Sequence, residues 1–218
     1  MIRACIFDLD GTLTDTLESI CYSVNLTLKE MKLTEITEEQ CRAFVGNGAR
    51  YLMERAVRAG GDAQGERIEE AMEIYGRIFD DNCTYHVKPY GGIPEVLDRL
   101  RGQGVKLAVL SNKPHRQTRK VVEEIFGSGV FDAAQGQMEG VERKPAPDGV
   151  LRILKDLGIT REECLYVGDS EVDVATGKNA GTETVSVTWG FRTREELLRA
   201  GAKHLIDRPE ELPGFVGR

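Results

Sequence analysis

FDLDGTLTDT, residues 7–16, completes the short apolar run of residues 2–7, which is broken only by Arg3. A run of that length and character predicts a buried strand. Its end carries two aspartates, Asp8 and Asp10, two positions apart, so on extended backbone both side chains face the same side. Gly11 follows, where the backbone is free to turn away sharply, and Thr12 closes the turn. A buried strand that delivers two carboxylates into a turn is the anchor for everything around it.

Beyond the turn the hydrophobic period changes. Leu17, Ile20, Cys21, Val24, Leu28 and Met31 fall on one helical face. Thr37 and Gln40 have capping-box spacing and predict the start of a second helix. Further helical patterns cover residues 51–59 and 68–79, and no strand-like run interrupts residues 16–87. After Pro89-Tyr90-Gly91-Gly92 the pattern alternates. Pro94 opens a helix carrying Val96, Leu97 and Leu100, and a strand follows at 105–110, then a helix at 117–126. A short strand at 133–136, a helix at 148–157 closed by Gly158, and a strand at 164–167 come next. A helix at 173–180, a strand at 184–187, a capping box at Thr193 and Glu196, and an edge strand at 204–206 complete the series. Such alternation predicts an α/β fold, a doubly wound, Rossmann-like parallel sheet with right-handed crossovers. The helical stretch is then an insertion after strand one. The expected division is a core of residues 1–15 and 88–218 and a small all-α unit of residues 16–87.

With 36 acidic and 29 basic residues the net charge is −7. That balance lacks the basic footprint required for nucleic acid or an anionic membrane, so neither is expected as a partner. An acidic chain that binds a phosphate must concentrate positive charge locally, through a metal or isolated Lys and Arg residues. The five cysteines are odd in number and form no C-x-x-C pair, and the three histidines are scattered, so neither a disulfide framework nor a zinc site is expected. Residue 2 runs directly into a strand without a signal peptide, and no apolar stretch reaches membrane-spanning length. A cytoplasmic location is the expectation. The sequence carries no signal of oligomeric state.

Ligands of doubly wound sheets bind outside the carboxyl ends of the strands. At those ends stand Asp8 and Asp10, then Ser111-Asn112-Lys113, then Asp169 with Asp173 shortly after, and Lys144 precedes a helix on the same edge. Carboxylates brought together repel unless a cation compensates. Oxygen ligands without histidine or thiolate suit a hard cation, and Mg²⁺ with phosphate is its usual setting. Asp8 and Asp169 are the metal ligands that follow. Asp8 is placed to attack phosphorus and form an aspartyl phosphate. Asp10 is placed to protonate the leaving alcohol and then to take a proton from water. Lys144, Ser111 and backbone N–H groups are expected to hold the phosphoryl oxygens. Asn112, Gly11 and Thr12 join them as substrate-binding candidates. Lys113 reads as a solvated loop lysine. Arg50, after Gly46-Asn47-Gly48, divides evenly between a surface charge and a contact to the substrate.

FDLDGTLTDT, then SNK (111–113), KPAPD (144–148) and GDSEVDV (168–174), in this order and at strand ends, resemble the haloacid dehalogenase superfamily over nearly the whole chain. The resemblance implies Asp8 as nucleophile and Asp10 as acid and base, with the Asp10 backbone carbonyl on the metal. It implies phosphate binding by Ser111 and Lys144, and completion of the metal site by Asp169. Asp173 would stand behind, orienting Lys144 or the metal's waters, and the helical insertion would be a cap domain. GNGARYLMERA (46–56), SNKPH (111–115) and TWGFRTREELLRAGA (188–202) are similar to phosphoglycolate phosphatases. The implied activity is Mg²⁺-dependent hydrolysis of a small phosphate monoester, with a phosphorylated metabolite as substrate. Pyrophosphatase, nucleotidase, sugar phosphatase or phosphomutase activity of the same superfamily, or a phosphoacceptor signalling role, are the alternatives.

Overall fold

A computed structural model describes residues 1–217. In chain order the first elements are β1 (Ala4–Phe7), β2 (Thr14–Asp15), α1 (Leu17–Glu30), α2 (Glu38–Phe44), α3 (Ala49–Ala59), α4 (Ile68–Asn82) and β3 (Lys88–Pro89). Then come α5 (Ile93–Gly102), β4 (Lys106–Pro114), α6 (His115–Phe126), β5 (Ala133–Gln137), α7 (Asp148–Leu157) and β6 (Cys164–Gly168). The chain ends with α8 (Glu171–Ala180), β7 (Glu183–Val187), α9 (Arg194–Arg199), β8 (His204–Ile206) and α10 (Pro213–Val216). Six strands form one sheet in the order β5-β4-β1-β6-β7-β8, and every pairing in it is parallel. The chain builds outward from β1 to one edge, then crosses back to β6 on the other side. The order therefore reverses beside β1, and the carboxyl ends of β1, β4 and β6 frame the crevice where such sheets bind ligands.

Period-two alternation sorts the strand residues onto two faces. Cys5, Phe7, Leu107, Val109, Leu165 and Val167 join one buried cluster, which continues into α5, α6 and the inserted helices. Ala4, Ile6, Ala108, Leu110, Cys164 and Tyr166 face the other way, against Val150, Ile153 and Leu154 of α7. Both faces are covered, which is why these strands read as continuous apolar runs rather than as alternating ones. All five cysteines are free thiols.

The insertion leaves the core through β2 and returns through β3, and these two short strands pair antiparallel, Thr14 with Pro89 and Asp15 with Lys88. Its four helices lie between them. The capping boxes at Thr37/Gln40 and Thr193/Glu196 form as their spacing predicts, and Gly158 closes α7 in the left-handed conformation. The second sheet strand runs further than its apolar stretch, through Ser111, Asn112 and Lys113 to Pro114, with a register break between Leu110 and Pro114. That extension carries three polar side chains over the sheet edge and into the crevice.

Candidate active site

Asp8 is the first residue beyond β1. Its Oδ1 accepts from the Leu9 N–H at 2.7 Å and lies 2.9 Å from Lys144 Nζ. Asp10 lines the same cavity as Asp8, together with Ser111, Asn112 and Lys113 from the end of β4. The cavity holds about 50 Å³ and is roofed by Ile20, Val45, Leu52, Tyr75 and Phe79 of the insertion. Gly11 has φ +87°, and a Cβ there would overlap the Asp169 carboxylate. The turn after β1 therefore needs glycine both for its conformation and for the approach of Asp169. Gly190 is equally constrained, since a Cβ on it would overlap the Gly11 carbonyl and Asp169.

Beneath the cavity, carboxylate oxygens of Asp8, Asp169 and Asp173 lie within 4.8 Å of one another, all buried. Burial, then the charge of Asp173, raises the Asp8 carboxyl well above the usual range, against the opposing pull of Lys144. Burial and Asp173 likewise push Asp169 up to about 7. Burial alone would depress Lys144, but Asp173 and Asp8 hold its ammonium well above the ordinary lysine range. Three buried carboxylates against one lysine leave net negative charge in a low-dielectric pocket, which is costly without a further cation. The all-oxygen donor set fits a hard divalent cation. Asp173 is already committed to protein donors. It accepts from Lys144 Nζ at 2.8 Å, Tyr166 Oη at 3.0 Å, Ser170 N at 3.2 Å and Ser170 Oγ at 2.5 Å. These bonds hold the Asp173 carboxylate and the Lys144 ammonium against each other beneath Asp8.

The remaining candidates separate. Thr12 does not face the cavity: its hydroxyl donates to Asp169 Oδ1 at 3.1 Å, and its N–H is spent on the Leu9 carbonyl. The Gly11 N–H goes to the Thr14 carbonyl. Both residues shape Asp169 and the turn, and neither is among those lining the cavity, because the turn closes on itself through these donors. Arg50 is half-exposed, and its guanidinium reaches Glu69 at 2.8 Å and Glu54 at 3.9 Å. The structure does not bring it to the cavity wall, where its neighbours Gly48, Ala49 and Leu52 stand instead. Lys113 reverses its expectation in the other direction. Its side chain is only 1% exposed, pairs with Asp10 at 2.7 Å and lies 5.0 Å from the Phe79 ring centroid.

Asn112 Nδ2 donates to the Gly46 carbonyl at 3.0 Å and to the Lys144 carbonyl at 3.1 Å, tying the insertion to the core beside the site. Arg143 donates to the Asn47 carbonyl at 3.0 Å. Arg192 sends Nη1 to the Arg42 carbonyl at 3.0 Å and Nη2 to the Val45 carbonyl at 2.8 Å. Core side chains thus hold the carbonyl oxygens of residues 42, 45, 46 and 47. Trp189 Nε1 donates to the Thr12 carbonyl at 3.0 Å, and the Phe191 N–H donates to Asp169 Oδ2 at 2.7 Å. The loop 188–192 supports both the carboxylate cluster and the insertion. The sequence reading quoted this stretch without assigning it a role, and its only local signal was Trp-Gly at the end of a strand.

A family model for haloacid dehalogenase-like hydrolases matches residues 5–187. A phosphoglycolate phosphatase of Aquifex aeolicus (strain VF5) is 36% identical over 190 residues, 87% of this chain and 86% of its own. One from Rhodospirillum rubrum is 32% identical over 225 residues, 100% of this chain and 92% of its own. Among solved structures, a protein of Lactobacillus delbrueckii subsp. bulgaricus, provisionally named a phosphoglycolate phosphatase, superposes with a TM-score of 0.92 at 32% identity over 98% of each chain. The match spans the three strand ends that carry Asp8, Ser111 and Asp169; Asp8 and Ser111 line the cavity, and Asp169 lies beside Asp8 in the buried carboxylate cluster. The chain belongs to the haloacid dehalogenase-like hydrolases.

Proposed function

We propose that this protein is a Mg²⁺-dependent phosphatase of small phosphate monoesters of the phosphoglycolate class, acting through a phosphorylated Asp8. The observation that carries the proposal is the shared cavity: Asp8, Asp10 and Ser111 line it, and Lys144 touches Asp8 from beneath. The names of the relatives support the substrate class. The division into a core of residues 1–15 and 88–218 and a cap of residues 16–87 belongs to the same reading. It is supported by the β2–β3 ribbon through which the insertion leaves and returns. No helix among the described residues is long and apolar enough to cross a membrane, and a cytoplasmic location accompanies the proposal.

Asp8 and Asp169, with the Asp10 carbonyl, would hold Mg²⁺, which when bound supplies charge neutralisation for an anionic nucleophile meeting an anionic substrate. Asp8 attacks phosphorus through a carboxylate oxygen, and the P–O bond to the alcohol breaks as the aspartyl phosphate forms. Lys144 Nζ is held by Asp173 and stands where a phosphoryl oxygen would meet it. Ser111 offers its hydroxyl hydrogen to a second oxygen, its Oγ already accepting from the Lys113 N–H at 3.2 Å. Asp10 gives its proton to the departing alkoxide, and the resulting carboxylate then takes one from the water that cleaves the aspartyl phosphate. The apolar roof of the insertion keeps bulk water from the transfer step.

The experiment is a substrate panel. Purified protein with Mg²⁺ is assayed against phosphoglycolate, pyrophosphate, sugar phosphates and nucleotides, comparing kcat/KM. The proposal expects phosphoglycolate or a similarly small monoester to lead. A clear preference for pyrophosphate or nucleotides would replace the substrate class.

A further inference from the structure

The wall of the cavity beyond Asp8 and Asp10 is mainly carbon, from Ile20, Val45, Leu52, Tyr75 and Phe79. Among the described residues, Lys113 is the one cationic residue on that wall. It reaches the cavity because β4 continues past its apolar stretch to Pro114. Its ammonium carries three donors. Asp10 Oδ1 takes one at 2.7 Å, the Phe79 ring lies at one side, and the side chain is almost wholly shielded from solvent. A shielded ammonium with spare donors in an apolar wall is a built position for an anion, because attraction there is far less screened than at the surface.

The position of that anion follows from the partner. Asp10 is the group that meets the bridging oxygen of the ester, and Lys113 sits directly on Asp10. An anion bound by Lys113 must therefore lie close to the bridging oxygen, on the leaving group and within one or two atoms of it.

We infer that Lys113 is the specificity-determining residue of this site, binding a carboxylate carried on the same carbon as the phosphoester oxygen. The inference rests on the phosphatase reading above and deepens it. It also accounts for discrimination without a cap cation, since Arg50 is engaged by Glu54 and Glu69. Alkyl phosphates without a second anion would enter the same cavity but leave the spare donors of Lys113 without a charged partner.

The test compares phosphoglycolate with 2-hydroxyethyl phosphate, in which a hydroxymethyl group replaces the carboxylate, in the wild type and in Lys113→Met, Lys113→Gln and Lys113→Arg. The expected result is a wild-type preference for phosphoglycolate in kcat/KM of roughly 10- to 100-fold, the range of one charge-assisted hydrogen bond. That preference collapses in Lys113→Met or Lys113→Gln, whichever is better folded, and returns in part in Lys113→Arg. A purely structural role, or one confined to holding Asp10, would lower both substrates equally, and that outcome overturns the inference. A wild type that hydrolyses both esters without preference overturns it too, while leaving the phosphatase reading intact. Failure of the wild type to hydrolyse any monoester overturns the phosphatase reading, and the role of Lys113 with it.

Discussion

Arg192→Ala should loosen the insertion over the active site without touching a reacting group. The Arg192 side chain is 9% exposed and makes two kinds of contact. Its pair with Glu171 at 2.9 Å reaches a carboxylate that is 45% exposed, so solvent screening leaves that pair little weight. Its other two bonds go to the carbonyls of Arg42 and Val45, at the carboxyl end of α2. Those oxygens lie where a helix leaves its last acceptors unpaired and its dipole negative, so a guanidinium is well matched to them. Each such bond contributes about 1.5–3 kcal/mol. The two share one guanidinium and will not add in full, so the closed arrangement should lose roughly 2–4 kcal/mol, about 30- to 1,000-fold in its equilibrium with an open one. Hydrogen exchange at the amides of residues 42–48 reads this directly, and their protection should fall by a similar factor. Because closure excludes water and completes the site, kcat/KM should fall as well, with Arg192→Lys intermediate. Protection within about threefold of wild type, well below the factor derived from these bonds, would refute the idea that Arg192 latches the insertion to the core.

Asp173→Ala removes the acceptor of the Tyr166 hydroxyl and of the Ser170 N–H, while Lys144 keeps Asp8 at 2.9 Å. Each orphaned donor costs about 1–3 kcal/mol, and relief of the repulsion on Asp8 and Asp169 works the other way. The net loss of roughly 2–4 kcal/mol should appear in urea denaturation, with Tm lower by about 4–16 °C, and Tyr166→Phe should cost far less. Isothermal titration should detect Mg²⁺ binding that disappears in Asp169→Asn, and activity removed by a chelator should return with Mg²⁺ but poorly with Ca²⁺, whose preference for more ligands at longer distance would tie up Asp8. Arg50→Ala should change kcat/KM less than about twofold on monoesters with and without a carboxylate alike, since it loses only exposed ion pairs. A selective loss on the carboxylate-bearing substrate would return Arg50 to the site.

Much of the architecture was legible in the sequence because local rules and global fold agree. The apolar runs ending at Phe7, Leu110 and Val167 are strands buried on both faces, and that burial makes them easy to read. Asp8, Asp10 and Asp169 were legible for a related reason, since polar residues directly after such runs stand at the sheet edge where ligands bind. What escaped depends on partners distant in sequence. Lys113 looked like a loop lysine because its counter-charge, Asp10, lies 103 residues away and the extension of β4 has no apolar signature. Arg192 is defined by carbonyls about 150 residues earlier, and nothing near it in the chain announces them. Arg50 had the suggestive local setting of Gly46-Asn47-Gly48, but Glu69 from α4 claims its guanidinium. Thr12 sits in the most informative motif of the chain, yet its hydroxyl serves Asp169 rather than a ligand.

The central claim, that Asp8 becomes phosphorylated during turnover, has a direct measurement. Protein mixed with Mg²⁺ and a slight deficit of phosphoglycolate is quenched in acid within a single turnover, digested and read by mass spectrometry. The account predicts a phosphoryl group on the peptide carrying Asp8, formed before free phosphate appears and lost as it appears, and no such adduct in Asp8→Asn. Free phosphate released at full rate with Asp8 unmodified throughout, or near-normal turnover by Asp8→Asn, would contradict it.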